Sequence, residues 1–457
     1  MPLNKDISVL IVDDTTIMHR MITKILNSIG YHNVVTALDG LDAIEKLKEQ
    51  KIDLILSDWN MPNMDGLEFL KWLRQADDFK DIPFIMATAQ ADKAQETLAI
   101  KEGANAHIAK PFDEENLKAK IEEAFGSKQE TGGELRTNKI VNGKVQMEVA
   151  HIQITDHLAL GILKHKIDTG EVTPRYFDLQ TTCMPGWNPV QEALEKGKVD
   201  AAFVLAPIAM DLFAFGTKIK LVLLAHKNGS VFVHTTKTPY DDFGSNEAFF
   251  KNRSVDIPHK MSIHHMLAHK FLSKQGLRPG VPGPKEVNVR FEVVPPIQMP
   301  NIMRDNEEVA GFIVAEPIGS SAIANGIAEL TFKSAQVWPN HPCCVVAFQD
   351  DFIGKFPDAV HEFTSLLVQA GKFVELHRDQ AAEIAVSFLD PQQKLGLQKQ
   401  VLVDVLNDSF GIKMTDLCPV LEDLDTIQRY MHDVMGIGKL IDLEKFVDMQ
   451  FAEAVCL

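Results

Sequence analysis

The chain has 457 residues, 45% of them hydrophobic and 24% charged, with a formal net charge of -17, which predicts two or three domains of ordinary soluble composition. The acidic balance, with no basic cluster, argues against a nucleic-acid surface, and no apolar run is long enough to span a bilayer. Five scattered cysteines without a CxxC pair predict reduced thiols, and an N-terminus without a secretory core predicts a cytoplasmic protein.

From residue 6 to 125 apolar runs and amphipathic segments alternate. SVLIV (8–12), NVVTA, DLILS, PFIMAT and AHIAK are five strands, each separated from the next by a helical stretch. After the first strand, Met18, Met21, Ile22, Ile25, Leu26 and Ile29 form one stripe that Gly30 closes. Five strands alternating with five helices predict a doubly wound parallel sheet with its strand ends gathered at one edge. Polar residues fall at those ends: Asp13 and Asp14, Asp58, Thr88 and Lys110. Carboxylates so close repel one another unless a cation sits among them, and an all-oxygen set suits Mg²⁺. Lys110 and Thr88 could then hold the oxygens of a phosphoryl group on Asp58.

VDD (12–14), SDWNMPNMDG (57–66), Thr88-Ala89 and KPF (110–112) resemble a response-regulator receiver domain, the single-domain chemotaxis receivers most of all. The resemblance implies a flavodoxin-like (βα)5 fold and phosphorylation of Asp58. It also implies Mg²⁺ bound by Asp13, Asp14, Asp58 and the backbone carbonyl of Asn60, with a cis bond at Lys110–Pro111. Thr88 and Lys110 would sense the phosphoryl group. The aromatic switch position of that family falls here on His107, a smaller side chain that can carry charge.

Residues 127–145 are polar and glycine-containing with no periodic apolar face, so they read as a linker between a domain of residues 1–126 and one of residues 146–457. In the second domain VDAAFVLAPIAMDLFAFG (199–216) is echoed by VAGFIVAEPIGSSAIANG (309–326). Each copy is an apolar run, a proline at the same offset, then a small-residue segment closed by Gly216 or Gly326: a strand, a turn and a helix. The repeat predicts two similar α/β lobes, the second opening at SVDIPH (254–259), hinged as a clamshell around a small ligand.

PGWNPVQEALEKGKVDAAFVLAP (185–207), PHKMSIHHMLAHKFL (258–272), FIVAEPIG (312–319) and WPNHPCCVV (338–346) resemble the NMT1/THI5-like group, the substrate-binding proteins of nitrate, bicarbonate and sulfonate transporters. A two-lobed, periplasmic-binding-protein-like α/β clamshell of type II is implied. Its binding loops map onto Asp156 and His157, Trp187, and the turn at Glu316. Ser262 is placed to cap the helix that follows, whose N-terminus would attract an oxyanion near His264 and His265. Arg304 could add positive charge. Cys343 and Cys344 read as small buried hydrophobes.

Together the two resemblances imply a two-component response regulator, phosphorylated on Asp58 by a histidine kinase and coupled to sensing of a small molecule, an anion or organic acid. Output would pass to an unidentified downstream protein. No nucleic-acid partner, membrane insertion or enzymatic turnover beyond receiver self-chemistry is expected. The alternatives are a thiamin-pyrimidine-precursor synthase, disfavoured by the short HPCCVV stretch, and a phosphorylation-controlled scaffold without a ligand.

Overall fold

The computed structural model describes residues 5–88, 98–110, 112, 114–125, 140–281, 286–391 and 396–455. It divides into two compact units, Met1–Glu134 and Leu135–Leu457.

In the first unit, strands β1 (Ser8–Val12), β2 (Asn33–Ala37), β3 (Leu54–Asp58), β4 (Phe84–Thr88) and β5 (Ala106–Ala109) form one sheet in the order β2-β1-β3-β4-β5. Every neighbouring pair is parallel. Side chains alternate across a strand, so each run feeds two cores. Val9, Ile11, Leu54, Leu56 and Ile85 pack on one face, and Leu10, Val12, Ile55, Phe84 and Met86 on the other. Both faces are covered by helices, Thr16–Ser28, Gly40–Glu49, Gly66–Gln75 and Glu114–Ala124 among them. This explains why the strands read as unbroken apolar runs rather than alternating ones.

The second unit holds two six-stranded sheets. The first is built from β6 (Ile140–Val141), β7 (Lys144–His151), β8 (Phe177–Cys183), β9 (Ala201–Leu205), β10 (Ile219–Leu224) and, from far along the chain, β17 (Cys344–Gln349). The second contains β11 (Ser230–Thr235), β12 (Ser254–Ile257), β13 (Pro279–Gly280), β14 (Val289–Val293), β15 (Val309–Ala315) and β16 (Ala328–Lys333). Their orders are β10-β17-β9-β7-β6, with β8 also on β7, and β13-β14-β12-β15-β11-β16.

The two sheets match strand for strand. β9 runs parallel to β7 and antiparallel to β17, which is antiparallel to β10. β15 runs parallel to β12 and antiparallel to β11, which is antiparallel to β16. The echoed segments are therefore equivalent strands, β9 and β15, each fully buried and followed by a helix, Ala206–Ala214 or Ile318–Ala324. Gly216 (φ 94°) and Gly326 (φ 68°) follow the helices in the left-handed region, where a side chain would be strained. The second lobe begins earlier than expected from SVDIPH: β11 already belongs to its sheet, because it supplies the antiparallel return that β17 supplies to the first.

The chain thus passes between the sheets twice, after β10 and before β17. The two passages pair with each other: the Ala225 amide donates to Cys344 O at 2.9 Å and the Asn228 amide to His341 O at 3.0 Å, with a bridge between Lys227 and Pro342. This two-stranded hinge carries the site described next.

Candidate functional sites

In the receiver-like unit β1, β3 and β5 deliver their last polar residues to one end of the sheet. Asp13 is 2% exposed, and its Oδ1 accepts from the Thr15 amide and hydroxyl at 2.9 and 2.7 Å. Lys110 Nζ bridges the remaining anions, 2.5 Å from Asp13 Oδ2 and 2.7 Å from Asp58 Oδ1. Burial opposes the lysine's charge, but Asp58 and Asp13 outweigh it and hold the pKa above its ordinary value. Burial, reinforced by Asp13 and opposed by Lys110, raises the Asp58 pKa. Burial and then Asp13 raise that of Asp14. Three crowded carboxylates against one ammonium leave an excess of negative charge that fits a hard, oxygen-loving cation. Asn60 is exposed two residues beyond Asp58, where its carbonyl can join such a set.

The turn after Asp58 is fixed by sequence. The Gly66 amide donates to Trp59 O at 2.8 Å, and a Cβ on Gly66 would lie 2.0 Å from Asp58 O, so only glycine fits. Asp65 then caps the next helix in a capping box with Glu68. The remaining receiver residues meet across β4 and β5: Thr88 Oγ1 and His107 Nε2 are 2.9 Å apart and both buried. Histidine at this position is therefore tied to the threonine hydroxyl. Pro111, and with it the expected cis bond, lies outside the described residues; a cis peptide does occur at Glu316–Pro317.

In the second unit Asp156 sits in the turn Thr155–His157 just beyond β7 and is completely buried. Its Oδ2 lies 2.9 Å from His226 Nε2, 3.5 Å from Cys344 Sγ and 3.8 Å from Cys343 Sγ. Burial alone would strip the proton from His226, but Asp156 reverses this and raises its pKa to about 10. The Cys344 amide is 3.2 Å from the same Nε2. The shorter contact to the carboxylate requires Nε2 to carry the proton, so the amide then lies alongside without donating. His264 enters from the second lobe, its Nε2 3.0 Å from Ser230 Oγ. Burial lowers its pKa to about 4 against the pull of Asp156, with His341 and His226 adding to the drop. Asp156 Oδ1, His226 Nδ1, His264 Nδ1 and His341 Nε2 are buried with no hydrogen-bond partner.

The residues expected to line this cleft separate into two groups. Asp156 and His264 come together, on opposite lobes. Ser262 caps the helix Ile263–Lys274 as expected, its Oγ accepting from the His265 amide at 3.0 Å. His265 turns away: Nδ1 is 2.8 Å from Lys260 O and the ring packs on Phe291, and burial pushes its pKa down to about 3. His157 is a core ring, edge-on to Trp187 and Phe203 at 5.7 and 5.4 Å, and Trp187 is 2% exposed. Glu316 is buried and occupied, accepting from the Ser320 hydroxyl at 2.6 Å and amide at 2.9 Å. Arg304 is at the surface, paired with Asp305 at 3.0 Å.

Cys343 and Cys344 are buried as expected but are not mere hydrophobes, since both sulfurs face Asp156. Cys183, Cys343 and Cys344 are free thiols, whereas Cys418 is disulfide-bonded, a departure from the uniformly reduced thiols expected. Sequence reasoning passed over His226 and His341. The available signal was position, since each lies in a passage between the two lobes.

Fold and site define a receiver joined to a two-lobed binding-protein clamshell. Residues 9–122 match the response regulator receiver domain and residues 142–389 the NMT1-like family; the chain belongs to the NMT1-like family and carries a receiver domain. Chemotaxis protein CheY-3 of Vibrio cholerae is 40% identical over 123 residues, 27% of this chain and 95% of that protein. CheY1 of Helicobacter pylori is 41% identical over 119 residues, 26% of this chain and 96% of that protein. Among solved structures, the zinc-bound ligand-binding component of an ABC-type import system from Staphylococcus aureus superposes with a TM-score of 0.59 at 20% identity, covering 68% of this chain and 98% of that one. The periplasmic nitrate-binding protein NrtA of Synechocystis PCC 6803 gives 0.55 at 17% identity, covering 68% and 84%. These two establish the fold of the second unit. Among the described residues no helix is long and apolar enough to cross a membrane.

Proposed function

We propose that the chain is a cytoplasmic two-component response regulator whose receiver, residues 1–126, is phosphorylated on Asp58 and whose second part, residues 146–457, senses a small molecule in its interlobe hinge. The observation that carries the first half is Lys110 bridging Asp13 and Asp58. A carboxylate held against an ammonium and beside a second carboxylate is a nucleophile with its countercharge already in place. Asp58 would attack the phosphorus of a kinase phosphohistidine, forming the P–O bond as the P–N bond breaks and the imidazole recovers a proton. Mg²⁺, held by Asp13, Asp14, Asp58 and the Asn60 carbonyl, would neutralise the oxygens in transfer. Lys110 would then release Asp58 and pair with a phosphoryl oxygen. The Thr88 hydroxyl would turn toward the new group and loosen its bond to His107.

The sensing half is supported by the fold and by unpartnered polar atoms contributed by both lobes, a pattern that calls for a guest. No enzymatic turnover beyond receiver chemistry is proposed, and output would pass to a further protein. Acetyl phosphate with Mg²⁺, read on a phosphate-affinity gel, tests the receiver: the wild type should shift and Asp58→Asn should not. Labelling that persists in Asp58→Asn would overturn the assignment.

A further inference from the structure

We infer that the hinge of the second unit binds one borderline-soft divalent transition-metal ion of the zinc class, through Asp156, His226, Cys343 and Cys344. One ligand atom from each of these four residues lies within 4.8 Å of all the others, and all four residues are buried. A tetrahedral ion with bonds of roughly 2.0–2.3 Å to N, O and S needs edges of about 3.3–3.8 Å. The two sulfur–carboxylate distances, 3.5 and 3.8 Å, already meet that. The His226–Asp156 contact of 2.9 Å need open only by a few tenths of an ångström.

The backbone explains how adjacent cysteines share a target. Consecutive side chains within a strand face opposite ways, but β17 begins at Cys344, and Cys343 belongs to the passage before it. Two thiols, an imidazole and a carboxylate favour a zinc-like ion over Mg²⁺ or Ca²⁺. Asp156 Oδ1 is also buried without a partner, so the carboxylate has a second oxygen to offer the same ion.

The position gives the site a consequence. His226 lies on the passage leaving the first sheet and Cys343 on the passage returning to it, while Asp156 lies beside Thr155, whose amide and hydroxyl both donate to Glu316 O of the other lobe at 2.8 Å. An ion here would clamp both passages to the first lobe and fix the hinge. Entry to a fully buried site requires the lobes to part, so loading should be slow.

This inference deepens the sensing reading and rests on it only for its consequence; binding is measured on the unphosphorylated chain. Full-length protein carrying Cys183→Ser, kept reduced with a phosphine, is titrated with Co²⁺ and then Zn²⁺. One equivalent of Co²⁺ should give thiolate-to-metal charge-transfer absorption that Zn²⁺ abolishes, with about three protons released per ion, from the two thiols and His226 Nε2. Cys343→Ser/Cys344→Ser and Asp156→Asn, checked by circular dichroism, should lose that absorption or weaken binding tenfold or more. Absence of the absorption in reduced wild type would overturn the site, as would its full retention in the double variant. Repeating the titration with beryllofluoride and Mg²⁺ separates the two ideas. Unchanged affinity there leaves the metal site standing and removes its link to the receiver.

Discussion

Glu316 gives the most direct test of how the hinge is built. Burial raises its pKa from the ordinary 4.5 to about 7, against the Ser320 hydroxyl and amide that favour its charge. At 1.36 kcal/mol per tenfold change in proton affinity, that corresponds to about 3 kcal/mol of preference for the neutral acid in the folded state. The acid is held more tightly folded than unfolded. Its contribution to stability is therefore complete below pH 4.5 and is lost as pH rises through about 7. Glu316→Gln is neutral throughout and keeps an oxygen for Ser320, so it should be immune to this loss. The assay is the melting temperature of the second unit's transition from pH 4.5 to 8, wild type against variant. At roughly 2 °C per kcal/mol for a large domain, the wild type should fall relative to the variant by about 6 °C over that range. A difference independent of pH would refute the reasoning, because it would mean Glu316 is as well solvated folded as unfolded.

The receiver yields three further expectations. Lys110→Met leaves Asp13 and Asp58 buried and mutually repelling; it should lower receiver stability by about 3 kcal/mol or more, and millimolar Mg²⁺ should restore much of the loss in chemical denaturation. Restoration by Mg²⁺ in Asp13→Asn/Lys110→Met to the same extent would argue against Asp13 as an ion ligand. Gly66→Ala places a methyl 2.0 Å from Asp58 O, so it should abolish labelling by acetyl phosphate and destabilise the receiver by about 2–4 kcal/mol. A normally labelled, stable variant would show that the turn relaxes freely. His107→Phe removes one hydrogen bond of Thr88 within the core, at a cost of about 1 kcal/mol. Beryllofluoride should recover part of that by giving the hydroxyl a new acceptor, visible as a larger thermal shift than in wild type.

What could be read from the chain depended on whether the signal was local. Every receiver strand except β2 is an apolar run that ends in, or is followed at once by, a polar residue, so Asp13, Asp58 and Lys110 were placed by pattern alone, and Lys110 does reach both carboxylates. The repeat at β9 and β15 was equally visible, because two equivalent strands face the same packing demands. The hinge site was not. Asp156, His226 and Cys343 are separated by 70 and more residues and meet only because β17 returns between β9 and β10, a pairing that no spacing encodes. Placing both histidines at the helix N-terminus misjudged His265: it is adjacent to His264, and a helix turns consecutive side chains about 100° apart, so one faces the hinge and the other faces Phe291.

That same geometry makes the hinge, rather than either lobe's core, the place where a signal would act. Polar bonds cross between the lobes at Thr155, whose amide and hydroxyl both donate to Glu316 O, beside the paired passages at Lys227 and Pro342. Each involves a buried polar group, whose loss costs about 1–3 kcal/mol when its partner moves away unreplaced. Opening the lobes would break both Thr155 bonds together. The closed state is therefore favoured until something outbids them, and a ligand shifts the balance only by as much as it binds one state better than the other. Thr155→Val removes the hydroxyl bond to Glu316 O while leaving the amide bond. It should loosen closure by about 1 kcal/mol, roughly a fivefold faster loading of Co²⁺ by stopped-flow absorption, without a change in the final spectrum. A variant that loads at the wild-type rate would show that the Thr155 hydroxyl takes no part in holding the lobes shut.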